Sequence, residues 1–170
     1  MSIRQIPSST VAVSVSESLA DNGQVFVAVI DSLNLGTGTA EKDIFLLRNP
    51  AASGYRAQFR LFILATAKVS GGTLVRYYRN PTVTSAGTSL DVRNKKNDSL
   101  TGVCTAYQLP TISARGVKLD VSGAAGSGEL LHSENYEVEL AEGEDLLFTI
   151  EQPSANSTYS LNVVWAEIEL

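Results

Sequence analysis

The feature that most constrains this chain is a hydrophobic rhythm of two that restarts after every break rich in glycine, asparagine or proline. Val11, Val13 and Val15 alternate with small residues, Val117, Leu119 and Val121 with Lys118 and Asp120, and Tyr136, Val138 and Leu140 with glutamates. Successive side chains of an extended chain fall on opposite faces, so each run predicts a strand with one buried and one wet face. Gln24 to Ile30, Asp43 to Arg48 and Asp145 to Ile150 are apolar on both faces or nearly so, which predicts central strands covered on each side. The breaks at Asp21-Asn22-Gly23, Gly36-Thr37-Gly38, Ser53-Gly54, Ser70-Gly71-Gly72, Ala86-Gly87, Gly123 to Gly128 and Gly143 leave little room for a long helix. Ser14 and Glu17 have capping-box spacing, and Ser14 to Ala20 predicts one helical turn at most.

Short strands and glycine-rich turns predict an all-β fold, a two-sheet antiparallel sandwich of jelly-roll type. The chain of 170 residues suits one core. Residues 1–10 read as an N-terminal arm and 11–170 as a single β-sandwich domain. A hydrophobic share of 44% against 18% charged residues is a globular composition. The net charge of −5 argues against nucleic acid as a partner, because phosphate binding needs a concentrated basic surface. No apolar run reaches the length of a membrane span, and Met1 to Pro7 lacks the apolar stretch of a signal peptide, so the expectation is folding in a cytoplasm without a membrane partner. The single cysteine, Cys104, predicts no intramolecular disulfide.

The residues that carry chemistry elsewhere have plainer readings here. His132 is the only histidine, and with Cys104 it makes a formal dyad, yet neither sits in a nucleophile motif. Two such residues cannot make a structural zinc site. Asp31 to Gly36 begins like a calcium loop, but Leu33 stands at the third ligand position and Lys42 where the bidentate glutamate belongs. Glu134, Glu137, Glu139, Glu142, Glu144 and Asp145 read as a solvated strand face followed by a tight acidic turn. Arg93-Asn94-Lys95-Lys96-Asn97 lacks interleaved aromatics and reads as an exposed loop. Gly123 to Gly128 reads as a flexible loop, since no helix follows to bind phosphate. The expectation is no catalytic residue, no cofactor and no metal.

Two strands predict contact with a partner. In Arg56 to Ala67, Ala57, Phe59, Leu61, Ile63 and Ala65 form one apolar face, while the other changes from Arg56, Gln58 and Arg60 to Phe62 and Leu64. Phe62 and Leu64 are therefore expected to face outward and to need cover. In Tyr159 to Leu170 the apolar face is Tyr159, Leu161, Val163 and Trp165, after which Ile168 and Leu170 switch sides unless a bulge intervenes. A contact between copies would cover both patches. The arm adds Ile3, Arg4 and Ile6 as expected partner-contact residues, with Pro7 separating them from the first strand at Val11.

One turn chemistry recurs. Arg48-Asn49-Pro50-Ala51-Ala52-Ser53-Gly54, Arg79-Asn80-Pro81-Thr82-Val83-Thr84-Ser85-Ala86-Gly87 and Gln152-Pro153-Ser154-Ala155-Asn156 each follow a strand-like run, where proline ends the ladder and begins a loop. These strings, together with Leu109-Pro110-Thr111-Ile112-Ser113 and the closing Leu161-Asn162-Val163-Val164-Trp165-Ala166-Glu167, occur in order over about residues 44–170. The pattern resembles that of small structural proteins of tailed bacteriophages. The resemblance implies a β-sandwich of the kind that decorates or cements a capsid, oligomeric as a dimer or trimer, with the major capsid protein and further copies of itself as partners. It also implies a place on the capsid surface of the virion after synthesis in the host cytoplasm, and it brings no catalytic residue. A tail, fibre or head-fibre component is the alternative within that class. A carbohydrate-binding or hydrolytic jelly roll is the alternative outside it, and needs an aromatic-lined cleft, whereas Trp165 is expected in the core.

Overall fold

The structure is a computed structural model that describes residues 19, 22–67, 72–125, 128–133, 138–152 and 156–170. Strands dominate it, as the alternation requires. They are β1 (Val25–Asn34), β2 (Lys42–Arg48), β3 (Tyr55–Ala67), β4 (Gly72–Arg79), β5 (Thr82–Ser85), β6 (Thr88–Ser89) and β7 (Val92–Asn94). There follow β8 (Thr105–Gln108), β9 (Thr111–Ala114), β10 (Val117–Ala125), β11 (Gly128–Ser133), β12 (Glu139–Leu140), β13 (Asp145–Glu151) and β14 (Thr158–Glu169).

The strands pair as a nested set: β1 with β14, β2 with β13, β3 with β11 and β4 with β10, all antiparallel. Folding that long double ribbon over gives one sheet in the order β11-β3-β14-β1 and a second in the order β10-β4-β13-β2. This is the strand order of a jelly roll, in which two four-stranded sheets face each other across one core. Short strands extend it. β7 lengthens the first sheet beside β1 while β12 adds to β3, and β8 and β6 lengthen the second sheet beside β2. The three runs expected to be central, in β1, β2 and β13, each have a strand neighbour on both sides.

Phe148 of β13 sits at the middle of the core. The rings of Phe45 and Tyr77 from its own sheet, and of Phe59 and Phe62 from the opposite sheet, lie 5.4–5.7 Å from its centroid. Such pairs contribute about 0.5–1.5 kcal/mol each beyond the area they bury. Trp165 is fully buried in the same cluster, stacked on Phe26 at 6.3 Å.

The expectation that Phe62 and Leu64 face outward is corrected: both are 0% exposed and belong to the inter-sheet core. The cause is a bulge. Trp165 lies opposite Phe59 but Val164 lies opposite Leu61, so Arg60 is an extra residue in β3. One inserted residue exchanges the faces, so Ala57 and Phe59 point inward before it, Phe62 and Leu64 after it, and Leu61 is moved to the outer face. At the end of β14 no bulge intervenes: the inner face runs Tyr159, Leu161, Val163, Trp165 and the buried Glu167, so Ile168 and Leu170 fall on the opposite side as expected, where Leu170 is exposed.

Gly123 to Gly128 also departs from the loop expectation. β10 runs through Gly123 to Ala125, paired with Leu74 to Gly72 of β4, and β11 begins at Gly128. Absence of turn geometry in Gly-Ala-Ala allowed the strand to continue, and a Cβ at position 123 would already lie 3.3 Å from Leu74 Cδ2. Of the helical candidate Ser14 to Ala20, Leu19 is among the described residues and is helical.

Candidate interaction surface

The part of the chain that the eight-strand roll does not need for its own closure is the connection from β4 to β10. It makes an excursion over residues 80–116 and carries β5 to β9. Long connections on a rigid scaffold are where binding residues concentrate. β5 and β9 pair as a two-stranded ribbon, and this ribbon lies over the outer face of the second sheet. Leu46 and Leu147, which alternation turns away from the core, are fully buried there with Tyr78, beneath Val83, Ala86, Tyr107 and Ile112. The double-sided apolarity of β2 and β13 is thus met by the inter-sheet core on one face and this ribbon on the other.

An ionic network fixes the ribbon's return. Arg115, just after β9, donates to Asp43 at 2.8 Å and pairs with Glu41 at 3.1 Å. Glu41 also accepts from Tyr78 at 2.8 Å and from Thr149 at 2.5 Å, and Arg76 lies 3.6 Å away while pairing with Glu151 at 2.7 Å. Burial opposes ionisation of Glu41. The hydrogen bonds from Thr149 and Tyr78 and the charges of Arg115 and Arg76 outweigh it and hold the carboxyl below its ordinary value. The same neighbours leave the Tyr78 phenol above its ordinary value, through burial first and its bond to Glu41 second. Two arginines thus hold three carboxylates, and the network anchors the excursion to the second sheet.

In the turn between β8 and β9, Leu109 is 48% exposed and has a φ of 52°. A bulky side chain directly before proline rarely adopts that conformation, because both its own Cβ and the proline ring disfavour it. The conformation is held by its N–H bond to the Ile44 carbonyl at 3.0 Å. Gly87 allows the close approach, since a Cβ there would lie 2.2 Å from the Gln108 carbonyl oxygen. An apolar side chain held outward on a braced turn is suited to contacting another surface.

The recurring proline turns prove to be neighbours. β2 and β4 flank β13, so Arg48-Asn49-Pro50 and Arg79-Asn80-Pro81 emerge on either side of the turn that starts β13. Buried Asn49 donates from its amide to the Tyr55 carbonyl at 2.8 Å and the Leu140 carbonyl at 3.2 Å. Asn80, at a φ of 53°, exchanges backbone and side-chain bonds with Asp145 and donates to Glu144 at 3.1 Å. Arg48 binds Asp145 through two nitrogens at 2.9–3.2 Å. The third site, Gln152, ties its amide to the carbonyls of Gly36 and Gly38. Each motif therefore ends a strand and stitches loops together, which sequence could place but not explain.

The other candidate residues are dispersed. Cys104 lies just before β8 and His132 on β11, and these strands belong to different sheets at opposite sides of the roll. Burial, then the adjacent Glu167 carboxylate, push the Cys104 thiol far above its ordinary value. Glu139 pairs with Arg56 at 3.5 Å, Glu144 caps Ala141 N–H at 2.9 Å and Glu142 bonds to Gly54 N–H, while Glu134 and Glu137 lie outside the described residues. In the calcium-like loop the Lys42 ammonium binds the Leu35 carbonyl. Arg93 pairs with Asp91 at 2.8 Å, and Asn94 is buried, donating to Gly23 and accepting from the N–H groups of Lys96 and Asn97. Of the expected partner-contact residues, Phe62 and Leu64 are in the core, and Ile3, Arg4 and Ile6, like the whole of the expected arm, lie outside the described residues.

No family model matches the chain, and no curated protein sequence matches it. Solved structures with some likeness include the infectious bursal disease virus VP2 subviral particle, 14% identical over 86% of this chain and 41% of that one with a TM-score of 0.21. A second is the T=1 particle derived from infectious bursal virus, 12% identical over 86% of this chain and 40% of that one with a TM-score of 0.18. This chain spans about two fifths of the length of those chains, and a likeness of this size carries no argument about fold or role. The fold rests on the strand pairing itself.

Proposed function

We propose that this protein is a non-enzymatic virion structural protein that decorates a phage capsid and cements neighbouring subunits of the major capsid protein. The observation that supports this most is where the phage-like turn motifs fall. The Arg-Asn-Pro turns and Gln152 follow β2, β4 and β13 of the second sheet, and the closing string Leu161 to Glu167 lies in β14 of the first, so the strings that carry the resemblance fall on strands and strand ends of both sheets. Jelly rolls serve in viral capsids and lectins alike, and a fold alone does not choose between them. The lectin reading needs exposed aromatics around a cleft, and Trp165 is in the core.

In this reading the β5–β9 ribbon and the Leu109 turn form a stiff outward surface, and the arm carrying Ile3, Arg4 and Ile6 supplies a second contact. Binding the assembled shell and not its separated subunits stabilises the shell by mass action. The protein acts as a dimer or trimer, so that several contacts are made at once.

Immunogold labelling of purified virions, with mass spectrometry of their proteins, tests the proposal. Gold spread over the head supports it. Gold confined to the tail or fibres assigns the alternative role, and absence of the chain from virions rejects both. Adding the purified protein to heads stripped of it should raise the temperature at which they release DNA, and no change would reject the cementing role.

A further inference from the structure

The outer face of the first sheet is apolar where a jelly roll of this kind ordinarily meets water. Val25, Val27 and Val29 of β1 point outward, beside Val164 and Ala166 of β14 and Leu61 of β3. The matching patch on the second sheet lies under the β5–β9 ribbon. On the first sheet, the described residue that covers the patch from outside is Leu19, six positions before β1. Its carbonyl accepts the Gln24 N–H at 3.0 Å, closing the turn that turns the chain into β1. Burial along β1 falls with distance from that turn: Val25 is 8% exposed, Val27 partly buried and Val29 49% exposed.

We infer that this face is the docking surface of the chain's own segment Val11–Val15. Three arguments converge on that occupant. Leu19 itself packs on this face, and residues 1–18 immediately precede it in sequence. Within them, Val11, Val13 and Val15 place three apolar side chains on one face of an extended run, with Ala12 and Ser14 on the other. A five-residue extended run is about 16 Å long, and the three strands β1, β14 and β3 are about 10 Å across. The run spans the patch with only Ser16, Glu17 and Ser18 between it and Leu19. Docking of Val11–Val15 leaves the residues up to Pro7 as the reach of the arm and fixes where on the sandwich it starts, independently of what the arm binds.

Cysteine pairs in the full-length chain test this. Val11, Val13 and Val15 are each replaced by cysteine together with Leu61→Cys, and the purified proteins are oxidised at low concentration; Val29→Cys, at the open margin of the patch, replaces Leu61→Cys if that variant fails to fold. At least one pair should close an intramolecular disulfide, with a yield independent of protein concentration. Absence of a cross-link from every pair overturns the inference, as do cross-links found only between chains, which would assign the face to a second copy. In parallel, the full-length chain with all three valines changed to serine, its strand content checked by circular dichroism, should bind an apolar dye severalfold more strongly than the native protein. Unchanged dye binding overturns the inference as well.

Discussion

The indole N–H of Trp165 donates to the carboxylate of Glu167 at 3.0 Å, two residues further along the same face of β14. That carboxylate also accepts the backbone N–H of Val103 at 2.7 Å and of Cys104 at 2.9 Å. A buried acid thereby closes the loop before β8 onto the end of the core. Gly102 belongs to the arrangement, because a Cβ there would lie 2.9 Å from Glu167 Oε1 and 3.1 Å from the Phe26 ring.

Glu167→Ala leaves the indole and the Cys104 N–H buried without an acceptor, and the part-buried Val103 N–H without this one. Each such loss costs about 1–3 kcal/mol, so the variant should lose at least about 2 kcal/mol in urea unfolding. Glu167→Gln keeps an acceptor oxygen and should lose less. Equal stability of the native chain and Glu167→Ala would contradict this role for the carboxylate.

Cys104 should be inert in the native state. Burial, reinforced by the Glu167 carboxylate, disfavours its thiolate, which is the reactive form. Titration with a thiol reagent at pH 8 should detect no fast-reacting group until denaturant is added, then one per chain. Replacing Cys104 and His132 together by alanine should remove no ester, peptide or glycoside hydrolysis.

Acid should weaken the anchor of the excursion. The Glu41 carboxyl is held below its ordinary value of 4.5 in the folded chain, so its stabilising effect is complete above that pH and is lost as pH falls through the lower folded value. Chemical denaturation between pH 7 and pH 3 should show a loss below about pH 4.5 that Glu41→Gln reduces. An unchanged acid slope in Glu41→Gln would assign the dependence to other carboxylates.

Phe62→Ala separates core from interface. Deleting a buried phenylalanine costs about 3–5 kcal/mol, and Phe62 packs against Phe59 at 6.4 Å and Phe148 at 5.6 Å within one chain. The variant should be destabilised by that amount while the oligomeric state of its folded fraction, read by sedimentation, stays that of the native protein. A change of oligomeric state at full stability would return Phe62 to an interface.

The amino-acid sequence by itself determined that this chain is a sandwich of short strands, because a rhythm of two broken by glycine and proline is a local property. It also marked β2 and β13 as covered on both faces, and Asn49, Asn80 and Gln152 as the ends of strands. Tertiary structure decided the rest. The face that Phe62 and Leu64 occupy turns on one extra residue, Arg60, and residues 61 to 65 are apolar on both faces, so no alternation was left to reveal the bulge. The nested pairing that makes the sandwich a jelly roll joins strands far apart in the chain, β1 with β14 and β4 with β10, and local pattern holds no record of such partners. The purpose of the repeated Arg-Asn-Pro turns was hidden for the same reason: only the insertion of β13 between β2 and β4 brings Asn49 and Asn80 to one turn, where their amides satisfy a backbone that the strand ends leave unpaired.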